Sequence, residues 1–305
     1  ADYYLPAANA MCEYEGRRYA FGGRNMGVEP CYYNTELFDR YGLEEPKTIS
    51  ELEAICETLK ANGIIPFALA NQAKWTGMIY YMYLVDRIGG GDLLANAASR
   101  TGSFEDPGFT RAGEKLVEWV KKGYFPDGCN GLAHNNNEDL QLLYQEKAAM
   151  WMYPGASKIA SDNPEFYKKL GVFPFPASDD GKGGNAVMGS PGGTFFSISS
   201  QCAHPDEAWK FLTYMATDDY IDGEIAIGIV PATQRAIDKI TDPLLRETLE
   251  IFNNAERVQL YWDQYLPPAL GEAVKTTTQQ LIGLEITPEQ VGQELEKVAV
   301  EEYGY

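Results

Sequence analysis

Hydrophobic residues recur at helical spacing in several segments of the chain. The segments begin behind Thr48, Asp106, Asp242 and Thr287. Behind Thr48, for example, one helical face is made of Ile49, Leu52, Ile55, Cys56 and Leu59. Such spacing predicts amphipathic helices whose apolar faces are packed against other elements.

A capping residue followed by proline marks the expected helix starts. Proline suits the first helical position because its missing N–H would be unpaired there anyway. The pairs are Asp106-Pro107, Asn163-Pro164, His204-Pro205, Asp242-Pro243 and Thr287-Pro288. In addition, Thr48 with Glu51 and Thr287 with Gln290 have the spacing of capping boxes.

Short apolar runs separate the predicted helices and have the length of buried strands. They cover residues 29–33, 64–70, 148–153, 171–175 and 194–199. Strands that alternate with helices indicate an α/β fold. From about Pro205 onward the pattern is almost entirely helical.

Composition narrows the functional classes. At roughly 150 residues per domain, 305 residues suggest two domains or one large one. Lys+Arg is 25 and Asp+Glu is 44, a formal net charge of −19. A surface this acidic repels nucleic acid and anionic lipid. No apolar run approaches the roughly 18 residues of a transmembrane helix.

Cysteine, histidine and glycine give no chemical signature. The five cysteines are odd in number and scattered without a C-x-x-C, so we expect buried small hydrophobes rather than zinc ligands or disulfides. His134 lies in a polar loop and His204 at a helix start, both structural positions. The glycines at 89–91 and 189–193 lack the lysine or the following helix of a phosphate loop, which argues against nucleotide binding.

Aromatic residues beside polar ones are the more informative signal. They occur at Trp75, at 151–153 and at 261–265, near predicted strand ends or between helices. A ring at such a position offers a flat apolar surface, and carbohydrates have a matching apolar C–H face with hydroxyls at the rim. Half-buried packing is the alternative interpretation for each ring.

Several segments resemble bacterial extracellular solute-binding proteins that serve sugar ABC importers. The matching segments follow the family order over most of the chain: 32–52, 62–67 with Trp75, 104–109, 146–150, 170–176, 205–212 and 228–232. Among them are Gly171-Val-Phe-Pro-Phe175 and Pro205-Asp-Glu-Ala-Trp-Lys-Phe-Leu212.

The resemblance implies an α/β, periplasmic-binding-protein-like type II fold with two lobes, a hinge and a helical C-terminal part. The ligand, usually an oligosaccharide, would bind in the interlobe cleft by aromatic stacking and hydrogen bonds. The resemblance further implies a non-enzymatic monomer without cofactor or metal. Its partner would be a membrane permease, and its location extracytoplasmic, as a cell-surface lipoprotein or in the periplasm.

Eight ligand-binding positions are implied by the resemblance. Trp75, Tyr153 and Trp262 match family aromatics that stack on sugar, and Asp263 could accept hydroxyl hydrogen bonds. Glu29 matches a polar contact near the lobe crossing. The remaining positions lie in a glycine-rich turn whose backbone approaches the ligand: Ser190, Gly192 and Gly193.

The N-terminal part of the first lobe has no counterpart here on this resemblance. Residues 28–187 and 232–305 would form the second lobe, and residues 1–27 and 188–231 a remnant of an incomplete first lobe. The start at Ala1 would then be a cut inside a longer secreted chain. Two alternatives remain: a carbohydrate-active enzyme such as a glycosidase, since 44 acidic residues could supply a carboxylate pair, and a binder of a non-sugar solute.

Overall fold

Proline-led caps begin helices at the predicted residues. In the computed structural model, which describes residues 3–180, 183–190 and 193–304, all five predicted proline pairs stand at helix starts. The side chains of Thr48 and Thr287 each close a capping box with Glu51 and Gln290. Each box satisfies two backbone N–H groups that the first helical turn leaves unpaired.

The helices lie in both halves of the chain and dominate it after residue 205, as predicted. Their bounds are α1 Pro6–Ala10, α2 Thr35–Tyr41, α3 Ile49–Ala61, α4 Trp75–Leu84, α5 Leu93–Ala98, α6 Pro107–Lys121, α7 Glu138–Tyr144, α8 Ser157–Asp162, α9 Pro164–Tyr167, α10 Pro205–Tyr214, α11 Asp218–Ala226, α12 Gln234–Lys239, α13 Pro243–Asn253, α14 Trp262–Tyr265, α15 Pro268–Ile282 and α16 Pro288–Tyr303. A π-helical turn, Val85–Gly89, continues α4.

The strands are short. They are β1 Glu13–Tyr14, β2 Arg17–Arg18, β3 Phe21–Gly22, β4 Gly27–Val28, β5 Cys31–Asn34, β6 Ile65–Phe67, β7 Ala148–Met152, β8 Leu170–Phe173, β9 Ala186–Ser190, β10 Phe195–Phe196 and β11 Arg257–Gln259. Each predicted apolar run contains a strand, although the run at 194–199 contributes only two residues. Strands β1, β2, β3, β4, β9 and β11 lie outside the predicted runs.

The chain divides into two compact units. Unit 1 comprises Ala1–Val28, Pro154–Lys168 and Gly189–Asn254, and unit 2 comprises Glu29–Tyr153, Lys169–Met188 and Ala255–Tyr305. Two boundaries, after Val28 and after Met188, fall within one residue of the predicted lobe limits. However, residues 154–168 and 232–254 belong to unit 1, whereas the sequence placed them in the second lobe.

A four-stranded mixed sheet in the order β6-β7-β5-β8 organises unit 2. Strand β6 runs parallel to β7, with Phe67 opposite Met150, and β5 runs antiparallel to both β7 and β8. Helices cover the sheet, and the resulting core holds Trp119, Tyr80 and Phe67 at 1% exposure or less. Unit 1 has its own, smaller core around Tyr4, Ile221 and Val230.

A buried group of charges in unit 2 holds β9 at Ala186 and β11 at Arg257. Asp86 and Arg87, in the π-helical turn, are 6% and 2% exposed and form an ion pair. Arg87 also donates to the carbonyl oxygen of Ala186 at 2.9 Å, and Asp86 accepts from the Ala186 N–H at 3.1 Å and from Arg257 Nη2 at 2.7 Å. Strands β9 and β11 are therefore attached to α4 through one carboxylate.

All five cysteines are unpaired thiols, and four of them, Cys12, Cys31, Cys56 and Cys129, are buried, as predicted. Burial raises the pKa of the Cys129 thiol to about 11 and that of Cys56 well above its ordinary value. Such thiols carry little thiolate at neutral pH and are inert.

Among the described residues, no helix is both long and apolar enough to cross a bilayer.

Replacement of Asp86 by alanine is expected to destabilise the protein strongly, because it leaves the Arg87 guanidinium buried without its carboxylate. The expected loss is about 3–5 kcal/mol in the free energy of unfolding, measured by urea denaturation. The control is Glu165→Ala, which removes an exposed partner of Lys168 and should change stability little. Equal small effects of both substitutions would contradict a structural role for Asp86.

Candidate functional site

Two predicted stacking residues meet at one edge of the unit 2 sheet. Strand β6 leads through residues 68–74 to Trp75, and β7 ends directly before Tyr153. Because β6 and β7 are parallel neighbours, their carboxyl ends lie at the same edge of the sheet. The ring centroids of Trp75 and Tyr153 are 5.3 Å apart at an interplanar angle of 53°, and both residues are half-buried. We call these two residues the aromatic pair.

The first turn of α4 holds Trp75 in place. The buried Asn71 accepts from the Gly77 N–H at 2.8 Å and from the Thr76 hydroxyl at 3.2 Å, and it donates to Asn130 Oδ1 at 2.7 Å. A Cβ at Gly77 would lie 2.6 Å from Asn71 Oδ1, so glycine is required for this approach. The backbone that carries Trp75 is therefore held by Asn71, which is itself hydrogen-bonded to Asn130.

Lys74, directly before Trp75, has an unusual backbone conformation. Its φ of 69° is in a region that non-glycine residues rarely occupy, and such residues cluster at functional sites. The Lys74 ammonium donates to Glu272 Oε1 and Thr276 Oγ1, both at 3.0 Å. Together with Lys275, it lowers the pKa of Glu272 to about 2. These contacts to α15 hold the strained turn in position.

Tyr153 rests on two further rings. Its ring centroid is 4.4 Å from the His134 imidazole at 28° and 4.6 Å from the Trp151 indole at 5°. Burial, and to a smaller extent the nearby carboxylates of Glu29 and Asp139, raises the pKa of Tyr153 to about 12. The Tyr153 hydroxyl is therefore a neutral hydrogen-bonding group at neutral pH.

One buried carboxylate links both supporting rings. Asp139 Oδ2 accepts from Trp151 Nε1 at 3.0 Å and from His134 Nδ1 at 2.7 Å. Asp139 and His134 are 1% and 7% exposed. We define Asp139, His134 and Trp151 as the Asp139 cluster. The sequence placed His134 in a polar loop without a role, and only its five-residue spacing from Asp139 hinted at this contact.

Glu29 is fully buried beside tyrosines. Its carbonyl oxygen accepts from the Tyr83 hydroxyl at 2.6 Å, and its N–H donates to the Met188 carbonyl at 2.8 Å. Among the residues that the structure describes, none makes a hydrogen bond of standard geometry to its carboxylate oxygens, although the Tyr261 hydroxyl lies alongside. Burial raises the pKa of Glu29 well above its ordinary value, and Tyr261 opposes this only in part. Burial therefore favours the neutral, protonated form of Glu29.

Trp262 occupies a different place from the one a stacking residue needs. Its indole is 1% exposed and packs edge-on against Tyr81 at 5.8 Å and Phe109 at 6.1 Å. A ring covered by its own core in this way has no accessible face, which favours the packing alternative. The neighbouring Tyr261, which the sequence did not single out, instead turns its hydroxyl toward Glu29.

Asp263 contacts a lysine of the same unit. Its Oδ2 lies 3.9 Å from Lys275 Nζ, and the side chain is about one quarter exposed, at 23%. Burial raises the pKa of Asp263, while Lys275 opposes this increase. A partly exposed carboxylate with one distant ion pair retains the capacity to accept further hydrogen bonds.

The glycine-rich positions belong to unit 1. Ser190 ends β9 and is 2% exposed, and its Oγ accepts from the Gly193 N–H at 2.7 Å. Gly193 has a φ of 57°, and a Cβ there would come within 2.2 Å of the Asn25 carbonyl oxygen. This turn therefore requires glycine at 193. Gly192 lies outside the described residues.

The family model for bacterial extracellular solute-binding proteins matches residues 19–221 of the chain. The chain belongs to this family. A family member of Streptococcus mutans, the Multiple sugar-binding protein, is 31% identical over 201 residues, covering 62% of this chain and 45% of that protein. The melibiose/raffinose/stachyose-binding protein MelE of Bacillus subtilis is 23% identical over 290 residues, covering 92% and 65%.

A solved structure confirms the predicted fold class, the α/β periplasmic-binding-protein-like fold of two-lobed solute-binding proteins. It comes from work on xylan utilization by the thermophilic bacterium Caldanaerobius polysaccharolyticus. The structure matches with a TM-score of 0.88 at 30% identity over 97% of this chain and 76% of that one. The chain spans about half the length of the first curated relatives it matches, 45% and 49%.

The family is one of solute-binding proteins rather than of enzymes. Within the part of the chain that the structure describes, no group of three or more His, Cys, Asp or Glu side chains is placed to hold a metal ion. The site that the structure assembles in unit 2 is made of aromatic rings and hydrogen-bonding groups, which suit reversible binding.

Replacement of Glu29 by glutamine should stabilise the protein in a pH-dependent way. The unfolded chain loses this proton near the ordinary glutamate pKa of about 4.3, whereas the folded chain retains it to higher pH. Wild-type stability should therefore fall relative to E29Q as pH rises above about 4.3, by up to about 1.4 kcal/mol per pH unit, and level off above the folded pKa. Urea denaturation from pH 4 to 8 measures this.

The control for this titration is Glu44→Gln, which changes an exposed glutamate of the same unit. Its stability curve should run parallel to that of the wild type. A parallel curve for E29Q as well would contradict a buried, protonated Glu29.

Trp262→Ala tests packing against ligand contact at that position. Loss of a fully buried indole should lower the free energy of unfolding by about 3–5 kcal/mol, whereas Trp75→Ala, at a half-buried position, should lower it much less. Thermal and urea denaturation compare the two variants. Near wild-type stability of W262A would show that its ring is not a core residue.

Proposed function

We propose that this protein is the substrate-binding component of a sugar ABC importer and that it binds an oligosaccharide on the aromatic pair. The observation that carries the proposal is the geometry of Trp75 and Tyr153, half-buried and 5.3 Å apart at a sheet edge. The names of the Streptococcus mutans and Bacillus subtilis relatives, which refer to sugar binding, support the same class of ligand.

The aromatic pair has the chemistry that a neutral sugar needs. Each ring presents an apolar face that can cover the C–H face of a pyranose, and the indole N–H and phenol hydroxyl can bond to hydroxyls at its rim. The angle of 53° between the rings suits two successive sugar units better than one flat face. An oligosaccharide is therefore the proposed ligand.

The other predicted contacts contribute to different degrees. Asp263, Ser190 and the turn that contains Gly192 and Gly193 remain proposed hydrogen-bonding positions. Glu29, which lies beside Tyr83 and Tyr261, is proposed to act as a neutral acid that donates a hydrogen bond to the ligand. Trp262 is assigned to the core of unit 2 instead of the ligand site.

Unit 1 and unit 2 are proposed to correspond to the first and second lobes of the family fold. The predicted remnant 1–27 and 188–231 is then extended by residues 154–168 and 232–254, which pack in unit 1. The protein is proposed to deliver its ligand unchanged to a membrane permease, as a monomer anchored at the cell surface as a lipoprotein or located in the periplasm.

Calorimetry with raffinose, stachyose and xylotetraose tests this function. We expect heat of binding from at least one sugar, and Trp75→Ala should weaken that binding by about 1–3 kcal/mol, by analogy with bases stacked on aromatic residues. The matched control is Trp209→Ala, which removes a tryptophan of unit 1 that is 51% exposed and should leave affinity unchanged.

Two results would overturn the proposal. One is binding of a peptide, polyamine or metal together with no heat from any sugar. The other is release of cleaved sugar from stachyose or xylotetraose during incubation with the protein, detected by chromatography, because a transport receptor returns its ligand intact.

A further inference from the structure

The Asp139 cluster lies directly behind the ring that the proposed ligand would contact. Tyr153 stacks on His134 and Trp151, and one oxygen of Asp139 accepts from both of these rings. The two acceptor distances, 2.7 Å and 3.0 Å, leave little freedom for either ring to rotate. The orientation of Tyr153 thus depends on a carboxylate that itself is only 1% exposed.

The buried carboxylate of Asp139 costs stability, so its benefit must lie in holding His134 and Trp151 in place. A carboxylate buried to this extent pays a desolvation penalty that hydrogen bonds from neutral donors recover only in part. An apolar side chain at 139 would fill the same space without that penalty. A charged acceptor is justified where it fixes the rotation of two rings, because charge-assisted hydrogen bonds are shorter and more directional than neutral ones.

We propose that Asp139 is a positioning residue for sugar binding, which acts through His134 and Trp151 to fix the face that Tyr153 presents. Asp139 does not contact the ligand in this proposal, which rests on the proposed function of the aromatic pair. Trp75 is positioned independently, through Asn71 and Lys74. The two rings of the pair are therefore set by two separate polar groups.

The carboxylate of Asp139 also fixes the tautomer of His134. Because a carboxylate only accepts hydrogen bonds, His134 Nδ1 must carry the proton in this contact. Asparagine at 139 has the same shape, and its amide oxygen can still accept from both rings, but the group is neutral, so both hydrogen bonds lose their charge assistance. Asp139→Asn is therefore the least disruptive change that weakens the hold on both rings.

A double-mutant cycle between Asp139 and Tyr153 tests the proposal. Affinity for the best sugar of the panel is measured by calorimetry for the wild type, D139N, Y153A and D139N/Y153A. With Tyr153 present, D139N should weaken binding about threefold to tenfold, in the lower part of the range of coupling energies between residues of one hydrogen-bonded network. In the Y153A background the same substitution should change affinity by less than about twofold.

Glu53→Gln is the matched control. Glu53 Oε1 accepts from Nε1 of the buried Trp119 at 2.7 Å, in the same unit and with the same kind of contact. E53Q should lower stability without changing affinity in either background. An equal loss of affinity from D139N with and without Tyr153, or a D139N affinity equal to that of the wild type, would overturn the proposal.

A sugar-independent measurement separates this inference from the proposed function. The parallel Trp151 and Tyr153 rings, 4.6 Å apart at 5°, should give a near-ultraviolet circular dichroism band that D139N reduces and E53Q does not. If no sugar binds the wild type, the proposed function fails, and this band still decides whether Asp139 orients Tyr153. If D139N does not fold, His134→Phe, which retains a ring but no N–H donor, replaces it in the cycle and the spectrum.

Discussion

The parallel pairing of β6 with β7 is the constraint on which the candidate site depends. It places the carboxyl ends of both strands at one edge of the unit 2 sheet, with Phe67 opposite Met150. Trp75 and Tyr153 are 78 positions apart in sequence numbering yet meet there, because each follows one of these strands. A shift of the register between β6 and β7 by one residue would turn alternate side chains to the other face of the sheet and separate the two rings.

Local sequence signals predicted the elements better than the side-chain environments. Proline after a capping residue and the two capping boxes act within a few residues, so they could be located from sequence alone. Strands β9 and β11 could not, because long-range contacts with Asp86 and Arg87 hold them in place. The aromatic pair was predictable as two residues, whereas the Asp139 cluster requires the folded chain.

The different environments of Trp262 and Tyr261 could not be predicted from the sequence resemblance. Helix α14 begins at Trp262, so neighbouring residues diverge there: the indole enters the core while the Tyr261 hydroxyl lies beside Glu29. A one-residue difference in phase therefore decides which ring packs in the core and which lies beside Glu29. The environments of the two buried carboxyl groups also differ. Among the described residues, no donor of standard geometry reaches Glu29, whereas Asp139 accepts hydrogen bonds from two donors.

The carboxylate of Asp86 has a consequence for how the chain connects its parts. Strand β9 continues past Met188 into unit 1, and β11 follows closely after the return from Asn254. Both strands are attached to the same carboxylate, through the Ala186 N–H and Arg257. Local unfolding of either strand therefore breaks a contact to the carboxylate that also holds the other strand. The amide protons of β9 and β11 should exchange with solvent in the same local unfolding event.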